Sequence, residues 1–555
     1  MACDSPRRSG DVPQAAATTL KGGDLTVSVR TEPRSFCSCV SPDATTVLVT
    51  LLTQARLVRV NQVTEEIEPW LADSWKRSDD GLRYVIKLKP NLHFSDGTPV
   101  SSADVVFSLA AAYDPASAIA DSLQVLGKPL VANAVDALTV SLTFPSAFGP
   151  GLRVLDDLPI LPKHKLESPL TAGKFAAAWS VSTPPANIVG LGPFVLADYR
   201  PGERMVFARN KNYFRTDSHG TQLPLLDRLI VEIVPDQDAQ VLKLEAGETD
   251  TEMSEIRPED YAPLKRAADQ GRVQLLDLGV ARDPDGLWIN LRANAFESDP
   301  RRAWIQRDEL RQAISSAVDR QRFADTVFLG AATPVFGPIT PSNRKWFSKN
   351  VPQTAHDVSH AKDLLAQIGL VDRNHDGIVE DANGQPARLT LLTAKGQTAL
   401  ERGARDLSDQ LRTIGLTVDV VALDGNALVQ TFVSGQKYDA VYFHLTSTSA
   451  DPALNRDFWL SSGDAHIWNP HQKIASTEWE RQIDELMARN ISALDETTRA
   501  ALFVEAQKIF AAHQPMVYFA APRVMVAASA RMTNLAPAVS RPQLLWAADT
   551  IAVKH

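Results

Sequence analysis

Asp372-x-Asn374-x-Asp376-Gly377 has the residue types and spacing of a calcium loop's first half. Oxygen ligands at positions one, three and five, with Gly at six for the sharp turn, are what Ca²⁺ requires. Position twelve, however, is Asn383 rather than a bidentate Glu, and only the leading side reads as helical. A hydrogen-bonded, Asx-rich hairpin is therefore the expected structure, with calcium at Asp372, Asn374 and Asp376 as the weaker alternative.

A second stretch could recognise a small molecule. Tyr442, His444, Leu445, Thr446, Ser447 and Thr448 follow a strand-like run and precede Asp451-Pro452. Four successive hydroxyl residues, Thr446 to Ser449, suit a neutral, hydrogen-bonding ligand. Catalytic signatures are missing: there is no Gly-x-Ser-x-Gly elbow, no His-Glu-x-x-His, no phosphate loop and no Cys-x-x-Cys. Gly190-x-Gly192 leads into Pro193-Phe194, which cannot open a helix, so a dinucleotide loop is rejected. His466 and His471 are separated by five positions and a proline, which is not a helical metal pair; they are expected at the surface or a cleft rim. The reading is of a binding protein, not an enzyme.

Three cysteines in 555 residues exclude a disulfide-built scaffold. Cys37 and Cys39 are one residue apart, a spacing strained for a disulfide, and are expected as two small buried side chains. Ala2-Cys3 looks like the remnant of a lipobox, so Cys3 is the expected lipid attachment site, with residues 1–23 as a flexible Ser/Pro/Ala/Gly tether. A net charge of −9 argues against a nucleic-acid partner. No apolar run is long enough to span a bilayer.

The elements that must position these residues follow from periodicity. Leu82, Tyr84, Ile86 and Leu88 alternate as a half-buried strand, and Asp96-Gly97 is a turn. Ser101 and Asp104 can box the start of a helix. Residues 24–30 read as a strand, and Phe194–Leu196 with Met205–Phe207 as a hairpin about Pro201-Gly202. Leu310, Ile314, Ala317 and Val318 share one helical face. From Asp357 onward helices and strands alternate, ending in two helices around Trp479–Met487 and Leu502–Phe510 and in strands at 517–520 and 524–527. A length of 555 residues requires more than one core.

Pro69-Trp-Leu-Ala-Asp-Ser-Trp75, Ser78-Asp-Asp-Gly81, His93-Phe-Ser-Asp-Gly97 and Ala103-Asp-Val-Val-Phe-Ser108 stand in an order that resembles the signature of family 5 of the ABC-importer extracytoplasmic solute-binding proteins, the peptide- and nickel-type branch. Gly190-Leu-Gly-Pro-Phe, Pro201-Gly-Glu203, Arg209-Asn-Lys-Asn-Tyr213, Ala246-Gly-Glu-Thr-Asp250 and the run Arg311 to Arg320 resemble further family segments. The resemblance implies an α/β, two-lobed periplasmic-binding-protein-like fold (large type II) with a hinged cleft. It divides the chain into a tether (1–23), a first lobe (24–45, 185–278 and 524–555), an extra subdomain (46–184) and a second lobe (279–523). It implies a monomer that captures a peptide or other small solute and hands it to an ABC permease at the periplasmic or cell surface. A sensor or enzyme on the same scaffold is the alternative. Ser35, Phe36, Ser41 and Asp43 of the first lobe, with Trp288, Asn290 and Tyr442–Thr448 of the second, are the implied cleft walls. In peptide-binding relatives an Asp three residues before the acidic-Pro pair holds the peptide ammonium. This chain has Thr448 there, which weakens the case for a peptide.

Overall fold

The computed structural model describes residues 20–434, 437–446 and 449–554, and these build two principal sheets. Strand Asp24–Val29 lies inside the larger sheet, between Arg228–Ile233 and Thr251–Glu252, and runs parallel to both. The hairpin Phe194–Arg200/Arg204–Arg209 extends one side of this sheet, turning at Arg200 and Arg204 as the Pro-Gly signal requires. Ala520–Ser529 and Val273–Val280 extend the other side. The second sheet runs Thr417–Leu423, Arg388–Ala394, Ala440–His444, Asp285–Ile289, Met516–Tyr518. Its first two pairings are parallel and its last two antiparallel.

The chain passes between the sheets at 281–284 and again at Phe519. The crossings lie side by side, with the Ala281 N–H donating to the Pro522 carbonyl at 2.7 Å. Two large apolar cores form accordingly. One gathers residues from Leu25 to Val231 with the C-terminal Val526–Val553 region, and the other gathers Leu287 to Ala521.

A smaller four-stranded sheet holds Ala72–Arg77, Arg83–Leu88, Thr139–Thr143 and Val131–Asp136. Tyr84, Ile86 and Leu88 point inward and Arg83, Val85 and Lys87 outward, the alternation read from sequence. Helix Ser102–Ala112 begins at the expected capping box, where the Ser101 N–H donates to the Asp104 carboxylate at 2.9 Å. Gly190 and Gly192 serve close approach: a Cβ at either would collide with the Thr53 or Leu52 carbonyl at the end of helix Ala44–Thr53, and the Gly192 N–H donates to Thr53 O at 2.9 Å.

Three expectations need correction. Cys37 and Cys39 are buried but joined in a disulfide, with their Cα atoms 5.2 Å apart. The 311–320 run is not one helix. Asp308–Ala317 ends where Val318 turns extended, and Asp319 caps a new helix over Arg320–Val327 by accepting from the Gln321 and Arg322 N–H groups. His466 is buried rather than at a rim, set between the Phe458 carbonyl and the Glu480 carboxylate.

Candidate functional site

Beside the two crossings lies a cavity of about 230 Å³. Its floor is the crossing segment itself, Arg282, Asp283 and Pro284, together with Tyr518 from the returning strand. One wall is the Pro338–Asn343 turn. The other comes from the loop that leaves strand Ala440–His444, with Leu445, Thr446 and Ser449, and from the segment Leu454–Trp459 beyond Asp451-Pro452. The surface is mainly aliphatic and aromatic with a few polar groups set into it, the usual make-up of a small-molecule site.

Electrostatics at the floor are organised by carboxylates. Asp285 and His444 are paired residues on neighbouring antiparallel strands, and the His444 Nδ1 lies 3.0 Å from the Asp285 carboxylate. The Tyr442 hydroxyl donates to the same carboxylate at 3.2 Å. Burial alone would lower the His444 pKa, but the Asp285 bond and the charges of Asp285, Asp283 and Glu255 outweigh it and hold the imidazole above its ordinary value. The Tyr442 phenol is pushed well up by burial and by Asp285, and the Tyr518 phenol by burial and by Asp283. Both remain neutral donors at any physiological pH.

Arg282 is held by Glu65 of the 61–66 turn, Nη2 to Oε1 at 3.1 Å. The Asn343 Nδ2 donates to the Ala450 carbonyl at 3.0 Å. The Arg282 Nε and the Asn343 Oδ1 are both buried and have no hydrogen-bond partner among the described residues.

The residues nominated from sequence that the structure describes fall into four groups. Leu445 and Thr446 line the cavity. Tyr442 and His444 meet at Asp285, beneath it. Trp288 and Asn290 are buried in the second core, where the Trp288 Nε1 reaches the Tyr438 hydroxyl and the Asn290 Nδ2 the Tyr438 carbonyl. Ser35, Phe36, Ser41 and Asp43 organise the first lobe. Asp43 caps helix Ala44–Thr53 by accepting from the Thr46 N–H at 3.0 Å and from the Ser41 hydroxyl, the Ser35 hydroxyl donates to the Trp179 carbonyl, and Phe36 packs edge-on against Tyr199. Ser447, Thr448 and Cys3 lie outside the described residues. Sequence reasoning missed Arg282, Asn343, Tyr518 and the Phe458-Trp459 pair. The aromatic pair, following Asp451-Pro452 so closely, was the one available signal.

The Asp-rich loop closes on itself. Asp372 accepts from the Gly377 N–H, Asn374 from the Asp376 N–H and Asp376 from the Ile378 N–H. Asp372, Asp376 and Glu380 bring one carboxylate oxygen each within 4.8 Å of one another.

Residues 66–466 match the model of the bacterial extracellular solute-binding proteins, family 5. The chain belongs to this family. It is 25% identical to a probable ABC transporter-binding protein of Deinococcus radiodurans, over 92% of this chain and 87% of that one. It is 25% identical to the periplasmic alpha-galactoside-binding protein of Rhizobium meliloti, over 90% and 75% of the two chains. Its fold is that of the oligopeptide-binding protein AppA from Bacillus subtilis in complex with a nonapeptide, at a TM-score of 0.72 and 23% identity, covering 97% of this chain and all of that one. The family 5 chain is thus a two-lobed solute-binding protein of an ABC importer, and its relatives are binding proteins rather than enzymes.

Proposed function

We propose that the solute is captured in the cavity beside the crossings and that the lobes close over it by rotation at 281–284 and 519. The observation that carries this reading is the position of the crossings at the cavity floor: Arg282, Asp283 and Pro284 belong to both the first crossing and the floor, and Tyr518 of the floor immediately precedes the second crossing. Closure then changes the walls of the cavity directly, which is how a hinge couples binding to shape. The closed form is what the permease receives, and the solute leaves unchanged.

The limits expected from sequence for the second lobe, 279 and 523, lie within a few residues of the two crossings at 281–284 and 519, which supports the same reading. Attachment through a lipid on Cys3, with residues 1–23 as tether, and action as a monomer complete the proposal. Native mass spectrometry of the gently purified protein identifies the co-purifying solute. X-ray scattering with and without that solute should then show compaction; an unchanged radius of gyration at saturation overturns the hinge. Membrane fractionation of the protein expressed with a full signal tests Cys3, and its recovery in the soluble fraction with Cys3 intact overturns the anchor.

A further inference from the structure

The segment that follows Asp451-Pro452 faces two ways. On one side Leu454, Phe458 and Trp459 line the cavity. On the other, Arg456 reaches out of the second lobe. Its Nη1 donates to the Gln124 carbonyl at 2.9 Å and its Nη2 to the Asp121 carbonyl at 3.1 Å, both in the extra subdomain. Ala453, just before it in sequence, is fully buried and packs into the first core.

Each end of this bridge is fixed in its own body. Trp459 is buried in the second core, and Phe458 packs edge-on against Trp459 and Trp468. On the subdomain side Leu123 and Val125 are fully buried, and the Tyr113 hydroxyl donates to the Leu123 carbonyl at 2.9 Å. The acceptors are main-chain oxygens of the short 3₁₀ turn Asp121–Leu123 and its cap, so no change of rotamer lets them follow a departing guanidinium. Separating the lobes at this seam breaks both bonds together. Hydrogen bonds from a charged donor are roughly twice as strong as neutral ones, and the guanidinium fork is the side chain suited to holding two acceptors. The ion pairs that also cross between the lobes, Arg402–Glu259 and Lys345–Glu66, both use an exposed carboxylate and contribute little.

We propose that Arg456 is a positioning residue for capture, a latch that holds the lobes closed over the cavity whose wall its own segment forms. This rests on the cavity being the capture site and on closure at the crossings. A solute seated against Leu454 and Phe458 braces the segment that carries Arg456, so filling the cavity and closing the seam favour each other.

Spin-label distances read the closure. The labels go on Lys128→Cys, in the hairpin that carries Gln124, and on Lys473→Cys in the second lobe, both exposed positions, in a Cys3→Ser background. Protein retaining the solute that native mass spectrometry detects is compared with protein freed of it by unfolding and refolding. Arg456→Met should lower the ratio of closed to open molecules about tenfold in both preparations. Arg456→Lys, which keeps the charge but not the fork, should lower it about threefold, and it carries the test alone if Arg456→Met does not fold. Raising NaCl from about 50 to about 500 mM should change the parent ratio by less than about twofold, because the acceptors are neutral carbonyls. Distances in the variants that match the parent's in both preparations overturn the latch, as does a salt effect as large as that of Arg456→Met. If the parent keeps one distance with and without its solute while Arg456→Met opens, the latch stands and solute-driven closure fails. If the parent closes on its solute and Arg456→Met closes equally, closure stands and the latch fails.

Discussion

Gly149 donates its backbone N–H to the Ile491 carbonyl at 2.6 Å, joining the unit that carries the family signature to the last turn of helix Glu478–Ser492, where the chain leaves for helix Glu496–His513. Ile491 and Ala453 accordingly bury into the first core although their chain neighbours belong to the second. Leu494 sits on Gly81 in the same seam. The two lobes thus touch at a backbone-to-backbone contact remote in sequence from the crossings.

Gly149→Ala should disturb this seam. The added Cβ would meet the Ala493 carbonyl and the Arg499 side chain, and neither a main-chain oxygen nor a buried guanidinium can move aside cheaply. Overpacking of this kind costs about 1–3 kcal/mol. Urea unfolding should show a loss of that size, and stability equal to the parent would mean that the turn does not dock on Gly149.

Asp451 and Arg499 form an ion pair in which both side chains are almost wholly buried, with the Arg499 Nη1 2.9 Å from the Asp451 Oδ2. Asp451 also accepts from the Ala453 N–H, and the Arg499 guanidinium lies over the Trp346 ring. Asp451→Ala strands a buried cation and should cost about 3–5 kcal/mol. Adding Arg499→Met removes the stranded charge, so the double variant should be more stable than Asp451→Ala alone. Denaturant midpoints of the two variants decide this, and a double variant less stable than the single would show that the pair is not the source of the loss.

Glu252 carries a pH dependence. Both of its carboxylate oxygens are buried without partners, beside Ser28 in the larger sheet. Burial and the nearby Asp260 charge raise its pKa from 4.5 to about 7, against a smaller opposing effect of Arg257. The folded state therefore holds this proton more tightly than the unfolded chain does. Its contribution to stability is complete below about pH 4.5, declines as pH rises, and is gone above about 7, a difference of about 3 kcal/mol in all. Glu252→Gln should remove that decline and be more stable than the parent at pH 8. Parallel pH profiles of the two proteins would assign the slope elsewhere.

Much of this architecture was written in local patterns. The strand at Arg83–Leu88, the boxed helix at Ser102 and the hairpin about Pro201-Gly202 each follow from a period or a turn residue that the structure obeys. Val131–Asp136 did not announce itself, because most of its residues are exposed and it lacks alternation. The site was less legible than the fold. Trp288 and Tyr442 have the residue types of a cleft wall, but they sit on a strand with sheet neighbours on both sides, and packing claims them. Asn343 and Arg282 lie in turns, where only the three-dimensional closure of 281–284 against the Thr340 hydroxyl brings them to one cavity.

The Glu65–Arg282 pair sets two effects against each other at one residue. Glu65 holds φ at +62°, the left-handed region that costs a residue with a Cβ about 1–2 kcal/mol and a glycine little. On backbone grounds alone, Glu65→Gly should stabilise. The side chain, however, is buried and meets Arg282 at 3.1 Å, and loss of one partner from a buried pair costs about 3–5 kcal/mol. The pair should win, so Glu65→Gly is expected to destabilise by about 1–4 kcal/mol in spite of the relieved backbone. In an Arg282→Met background the charge to be matched is gone and Glu65 itself becomes the stranded ion. There Glu65→Gly should reverse sign and stabilise. Chemical denaturation of the four proteins in this cycle measures both steps, and a glycine substitution of the same sign in both backgrounds would show that backbone conformation, not the Arg282 contact, governs this turn.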